Sequence, residues 1–233
     1  MTTVASDLRP PGLTVLFADA HVIVVDKPPG MPSVPARTPL DPPAVATMLR
    51  DEYGPLEAVH RLDRDTSGLL VLSRSPAARI ALGRSFEGRA VQKRYEAIVC
   101  GVPAAAHGEI HLPLAPDPGR PPRHRVDPIS GRIAITRWRL VERREFADGP
   151  RSLLDLEPVT GRSHQLRVHL AWLGVPIVGD RLYGPATQPA AAHRLALHAA
   201  WLRFPHPADG RQVEIVSPHG LAAGLAAAAM RRE

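Results

Sequence analysis

The sequence predicts a single mixed α+β domain spanning residues 1–233. Two observations predict it. Short β-branched or alternating runs are interleaved with only a few capped, helix-period segments. No internal repeat and no clean linker divides the 233 residues, a length that one substantial core can serve.

Taken in order, "LTVLFADAHVIVVD" (13–26) reads as a strand, a turn at Asp19 to His21, and a second strand that is apolar on both faces. "KPPGMPSVPA" then breaks regular structure, and Lys27 reads there as a surface turn residue. "VHRLDRDTSGLLVLSR" (59–74) crowds charge against an apolar run, with Thr66, Ser67 and Gly68 as turn residues. Ser75 is placed as an N-cap with Pro76 at the first helical position, and that helix ends near Gly88. "VQKRYEAIVCG" alternates as a half-buried strand. Residues 113–131 are so rich in Pro, Gly and Arg that they read as a basic excursion without a packed element.

Strands resume at "RIAITRWRLVE". "SLLDLEPVTGRSHQLRVHLAWLG" passes from strand to helix, with Thr160 as N-cap and Gly174 as the stop. Leu166, Leu170 and Leu173 share its core face, Arg162 falls in its first turn, and His164 and Arg167 project together elsewhere. "VPIVGDRLYG" reads as strand and turn, "HRLALHAAWLRF" as helix into strand, and "PHPADGRQVEIVSP" as the close of a hairpin. The alanine-rich tail reads as helix.

The formal charge of +6 favours polyanionic partners, nucleic acid first. Lys27 and Lys93 are the only lysines; arginine elsewhere suits phosphate and base contacts, although a codon bias toward arginine gives the same composition. Cys100 stands alone, which excludes an internal disulfide and fits a reducing cytoplasm. The N-terminus lacks signal-peptide character and no apolar run reaches membrane-spanning length, so no membrane partner is expected. His164 and His169 point apart on a helix, and no HExxH or paired Cys/His spacing occurs, so no metal is expected. Nucleophile elbows, phosphate-binding loops and dinucleotide fingerprints are absent.

Asp63 remains. A lone Asp among arginines is by default an ion-pair member; alternatively it is a reactive carboxylate at the lip of a strand. A cation from the "GRSHQLR" helix start would hold such a carboxylate ionised and oriented, as a nucleophile or base requires.

"HRLDRDTSGLLVLSR" resembles the signature of the RluA-type pseudouridine synthases. "VIVVDKPPGMPSVP", "QKRYEAIV", "TGRSHQLRVHLAWLGVPIVGDRLYG" and "RLALHAAWLRFPHP" resemble further segments of that family, in its order, across about residues 14–218. The resemblance implies a mixed, largely antiparallel sheet with flanking helices and loops around an RNA-binding cleft. It implies no cofactor, no metal and no N-terminal S4-like domain. It makes Asp63 the essential carboxylate, Arg167 its ion-pair partner, and Tyr95 the aromatic against the target uracil. Arg61 would contact RNA or fill the gap left by an extruded base, Leu197 would pack on that base, and Arg162 and His164 complete the substrate-binding set. Without the resemblance, Tyr95 is an ordinary half-buried aromatic, Arg61 a partner of Asp65, and Leu197 core.

"MPSVP" and "PDPGRPPRHRVDPISGRIAITRW" resemble the small RluA branch itself. That implies an enzyme acting on a 23S rRNA hairpin, a tRNA anticodon stem-loop, or both, with "GRPPRHR" on phosphates; a monomer is expected. The rivals are a catalytically silent RNA-binding protein on the same fold and a hydrolase using Asp63 as base.

Overall fold

The computed structural model describes residues 12–35, 42–185 and 193–222. The fold is α+β, with a mostly antiparallel sheet. The residues cluster into two compact units, one of residues up to 92 with 199–218, the other of 93–198 with the residues from 219 on.

The first unit opens with β1 (Thr14–Ala18) and β2 (Val22–Lys27), joined through the expected turn. The Asp19 carboxylate makes that turn by accepting from the backbone N–H groups of His21 and Val22 at 2.8 and 2.9 Å. Two single-turn helices, α1 (Val45–Met48) and α2 (Arg50–Tyr53), and the two-residue β3 (Glu57–Ala58) lead to β4 (Ser67–Ser73). β2 and β4 are buried along their whole length, which is why both read as continuous apolar runs instead of alternating ones. α3 (Pro76–Glu87) begins as expected, with Ser75 Oγ accepting from the Ala78 N–H at 3.2 Å and Pro76 in the first turn. The sheet runs β1-β2-β4-β11, where β11 is Leu197–Pro205; β3 also pairs with β4, and β12 (Gln212–Val216) closes the hairpin with β11.

Gly68 explains how closely β4 and β11 approach. Its φ is +109°, and a Cβ there would lie 2.4 Å from the Ala199 carbonyl oxygen. Only glycine fits. Val24, Leu69, Val71, Leu82 and Phe204 form the centre of this unit's core.

The second unit has the sheet order β5-β10-β9-β6, built from β5 (Gln92–Cys100), β6 (His107–His111), β9 (Ile135–Arg144) and β10 (Arg151–Pro158). α4 (Gln165–Trp172) lays Leu166 and Leu170 into the core with Leu153, Leu154, Leu156 and Ile177, and Leu173 packs partly buried beside them. Gly174, at φ +83°, follows its end as expected.

Several expectations need correction. The basic excursion does contain an element: β7 (Leu114–Pro116) and β8 (His124–Val126) form a hairpin, held by backbone pairing that arginine and proline at its tip do not disturb. Thr160 does not cap α4. Its hydroxyl instead bonds the Gln165 side chain at 2.8 Å, and His164 stands at the N-cap with φ 56°, so Arg162 precedes the helix. Residues 193–196 form no helix: Leu195 and Ala196 are buried and lead directly into β11, so burial there prevails over the helical propensity of "HRLALH". "VPIVGDRLYG" supplies an isolated bridge, Val99 to Ile177, and turns. The tail from residue 223 lies outside the described residues.

Candidate active site

In the first unit the stretch around Asp63 is clasped by the segment after β2. Leu62 and Ser33 exchange two bonds: the Leu62 N–H donates to Ser33 Oγ at 3.0 Å and Ser33 Oγ donates to the Leu62 carbonyl at 2.9 Å. Gly30 and Arg64 do the same, with the Gly30 N–H on the Arg64 carbonyl at 2.9 Å and Arg64 Nε on the Gly30 carbonyl at 3.0 Å. Asp63 itself is the first residue of a tight turn, its carbonyl accepting from the Thr66 N–H at 3.1 Å. The turn is therefore Asp63 to Thr66, while Ser67 and Gly68 already belong to β4. On the other side, His60 Nε2 accepts from the Val71 N–H at 3.0 Å and its ring stacks on Phe86 at 4.6 Å. Asp63 is half-buried and Arg61 is exposed.

Lys27 overturns its surface reading. Its side chain is fully buried, and Nζ donates to the carbonyls of Pro28, Met31 and Arg64 at 3.0, 2.9 and 3.0 Å. Burial brings its pKa down to about 8, against the opposing pull of Asp65, Asp63 and Asp26. The compact ammonium has three hydrogens for three carbonyls, a geometry a planar guanidinium cannot copy. Asp65 thus contributes to the field that favours the charged form of Lys27.

In the second unit α4 supplies the cation. Arg167 is buried, and its Nε and one Nη each lie 2.7 Å from a carboxylate oxygen of Asp180. Burial pushes the Asp180 carboxyl up, but Arg167 and the backbone N–H groups of Leu182 and Tyr183 outweigh it and hold it below the usual carboxylate range. The Arg167 guanidinium also stands 5.2 Å above the Tyr183 ring. Asp180 and Tyr183 are the residues that sequence reasoning missed. Both sit in the quoted "VGDRLYG", and only the bidentate geometry shows what they do.

His164 Nδ1 lies 2.7 Å from the Tyr183 hydroxyl, so His164 and Arg167 do meet a common partner. Arg162 Nε donates to the Ile133 carbonyl at 3.1 Å. Tyr95, on β5, is half-buried against the core, and Leu197 lies within it with 3% of its surface exposed. Lys93, two residues before Tyr95, has its pKa lowered by burial. Both lysines of this arginine-rich chain therefore occupy sheltered positions. Among the described residues no group of three or more His, Cys, Asp or Glu is arranged to hold a metal ion.

The RNA pseudouridylate synthase family matches residues 21–172. The dual-specificity RNA pseudouridine synthase RluA of Escherichia coli O6:H1 is 42% identical over 208 residues, which cover 89% of this chain and 94% of that one. RluA of Haemophilus influenzae is 39% identical over 74% of this chain and 78% of its own length. Among solved structures, human RNA pseudouridylate synthase domain containing 1 superposes with a TM-score of 0.78 at 30% identity, covering 91% of this chain and 86% of that one. Fold and motifs together thus define an RNA pseudouridine synthase, an isomerase that acts on RNA. The chain belongs to the RluA-type branch of that family.

Proposed function

We propose that the enzyme isomerises uridines in two kinds of structured RNA, a 23S rRNA hairpin and a tRNA anticodon stem-loop, and that Asp63 is its essential carboxylate. The relatives named dual-specificity RluA support the choice of RNA. The observation that carries the role of Asp63 is its clasp: backbone and side-chain bonds from Gly30, Ser33 and Lys27 fix both of its neighbours, Leu62 and Arg64. A residue whose backbone is so held loses little further freedom on reaching the transition state.

In the reaction the N1 to C1′ bond breaks, the uracil turns, C5 bonds to C1′, C5 gives up its proton and N1 gains one. Atoms and oxidation state balance without a cofactor. Tyr95 would lie against the uracil, and Arg167, oriented by Asp180, would serve as the ion-pair partner of Asp63. Arg61, Arg162 and His164 would bind the RNA around an extruded base, where Leu197 offers a small apolar edge. Extrusion costs a few kcal/mol, and stacking on an aromatic returns about 1–3 kcal/mol per base. Arg120 and Arg125, with side chains 69% and 52% exposed, sit on or beside the β7–β8 hairpin where phosphates could approach. A single chain is the expected working unit, one catalytic domain with the lone, half-buried Cys100 suited to a reducing cytoplasm.

Mapping pseudouridines in 23S rRNA and in tRNA, in cells with and without the gene, tests the substrate. Loss of one site in each RNA is expected. Loss confined to one RNA class contradicts dual use.

A further inference from the structure

We propose that Tyr183 is the positioning residue that sets the basic β7–β8 hairpin in register with helix α4, so that hairpin arginines and Arg167 engage one RNA at the same time. This rests on the reading above, in which the hairpin contacts RNA and Arg167 serves the reaction.

The hydroxyl of Tyr183 stands at a crossing of three elements. It accepts from the backbone N–H of His124, on β8, at 2.7 Å. It lies 2.7 Å from Nδ1 of His164, the N-cap of α4. With the His124 amide donating to it, the phenol has its own proton to give to that nitrogen. The rest of Tyr183 is tied to the cation: its N–H donates to Asp180 Oδ1 at 3.0 Å, and its ring lies under Arg167 at 5.2 Å. Apolar contact adds area here without choosing a register: Val126 and Tyr183 pack against Leu114, Ala134 and Val168.

Two further features fit a joint more than general packing. His164 holds φ 56°, a left-handed conformation that a non-glycine residue keeps only where its surroundings fix it. The bonded residue on β8 is also flanked by Arg123 and Arg125. A slip of one residue there would turn the arginines to the opposite face. The Tyr183 hydroxyl thus links the strand that carries these charges to the start of the helix that carries Arg167.

Tyr183→Phe removes only that oxygen and keeps the ring beneath Arg167. The measurements are KM and kcat on a stem-loop RNA, the salt dependence of RNA binding, and the melting temperature. KM should rise about tenfold, kcat should fall by much less, and the slope of log affinity against log salt should become shallower as fewer phosphates are engaged. A loss of packing alone would lower the melting temperature without changing the salt slope.

The double variant Arg120→Gln/Arg123→Gln separates this inference from the reading beneath it. If the double variant flattens the salt slope and Tyr183→Phe leaves KM and slope at wild-type values, the joint is refuted. If the double variant itself binds RNA as wild type does, the hairpin is not an RNA contact, and the reading fails together with the joint.

Discussion

The ammonium of Lys27 donates to the carbonyl oxygen of Arg64 at 3.0 Å across 37 positions of the chain. It thereby ties the end of β2 to the turn that carries Asp63, and the same oxygen also accepts from the Gly30 N–H at 2.9 Å. A buried cation thus holds the backbone next to Asp63.

That cation gives the protein an unusual alkaline behaviour. Burial lowers the folded pKa of Lys27 to about 8, while the unfolded value is that of a free lysine. Between about 8 and 10.5 the unfolded chain binds more protons, so this group's contribution makes stability rise with pH across that window, by about 3 kcal/mol in all. Denaturant unfolding at pH 7 and pH 10 should show this gain in wild type and not in Lys27→Met. An equal slope in both proteins contradicts it.

Turnover should move the other way. A neutral Lys27 has two hydrogens for three carbonyls, and the turn at Asp63 loses a nearby positive charge. Single-turnover rates at saturating RNA should decline above about pH 8 in wild type. Lys27→Met should be several-fold slower at pH 7 and lack this limb.

Asp180→Asn keeps the shape of the side chain and removes the charged carboxylate that the buried Arg167 bonds at two points. Breaking such a pair costs about 3–5 kcal/mol, and the melting temperature should fall accordingly. The Asp180 pKa is depressed in the fold, so its contribution is present above the unfolded carboxyl pKa of about 3.9 and lost as pH falls through the lower folded value. Wild type and Asp180→Asn should therefore converge in stability below about pH 4. Single-turnover rates at saturating RNA should drop in the variant, because Arg167 loses the carboxylate that orients it.

Gly68→Ala probes the approach of β4 to β11. A methyl group 2.4 Å from the Ala199 oxygen, at φ +109°, forces backbone to move. A cost of about 3 kcal/mol, or a melting temperature lower by on the order of 10 °C, is expected by thermal unfolding.

The elements written by local chemistry were legible in the sequence. Ser75 and Pro76 start α3, Asp19 makes its turn, and the leucines of α4 face the core, because caps, Asx turns and periodicity act over a few residues. Where distant groups decide, the sequence misleads. Lys27 reads as surface until its three carbonyl partners are assembled, and Thr160 reads as a cap although it bonds the Gln165 side chain. The hairpin at 114–126 hides behind proline and arginine because backbone pairing leaves little trace in composition. Of the site, Asp63 and Arg167 stand out through motif order, whereas Asp180 and Tyr183 gain their meaning only from a bidentate pair and a shared hydroxyl.

Asp63 is proposed to carry the chemistry. Tritium release from RNA labelled at uridine C5, measured for wild type beside Asp63→Asn, tests it most directly. Wild type should release tritium, and Asp63→Asn should release none while still binding the RNA. Release by Asp63→Asn at the wild-type rate would contradict the account.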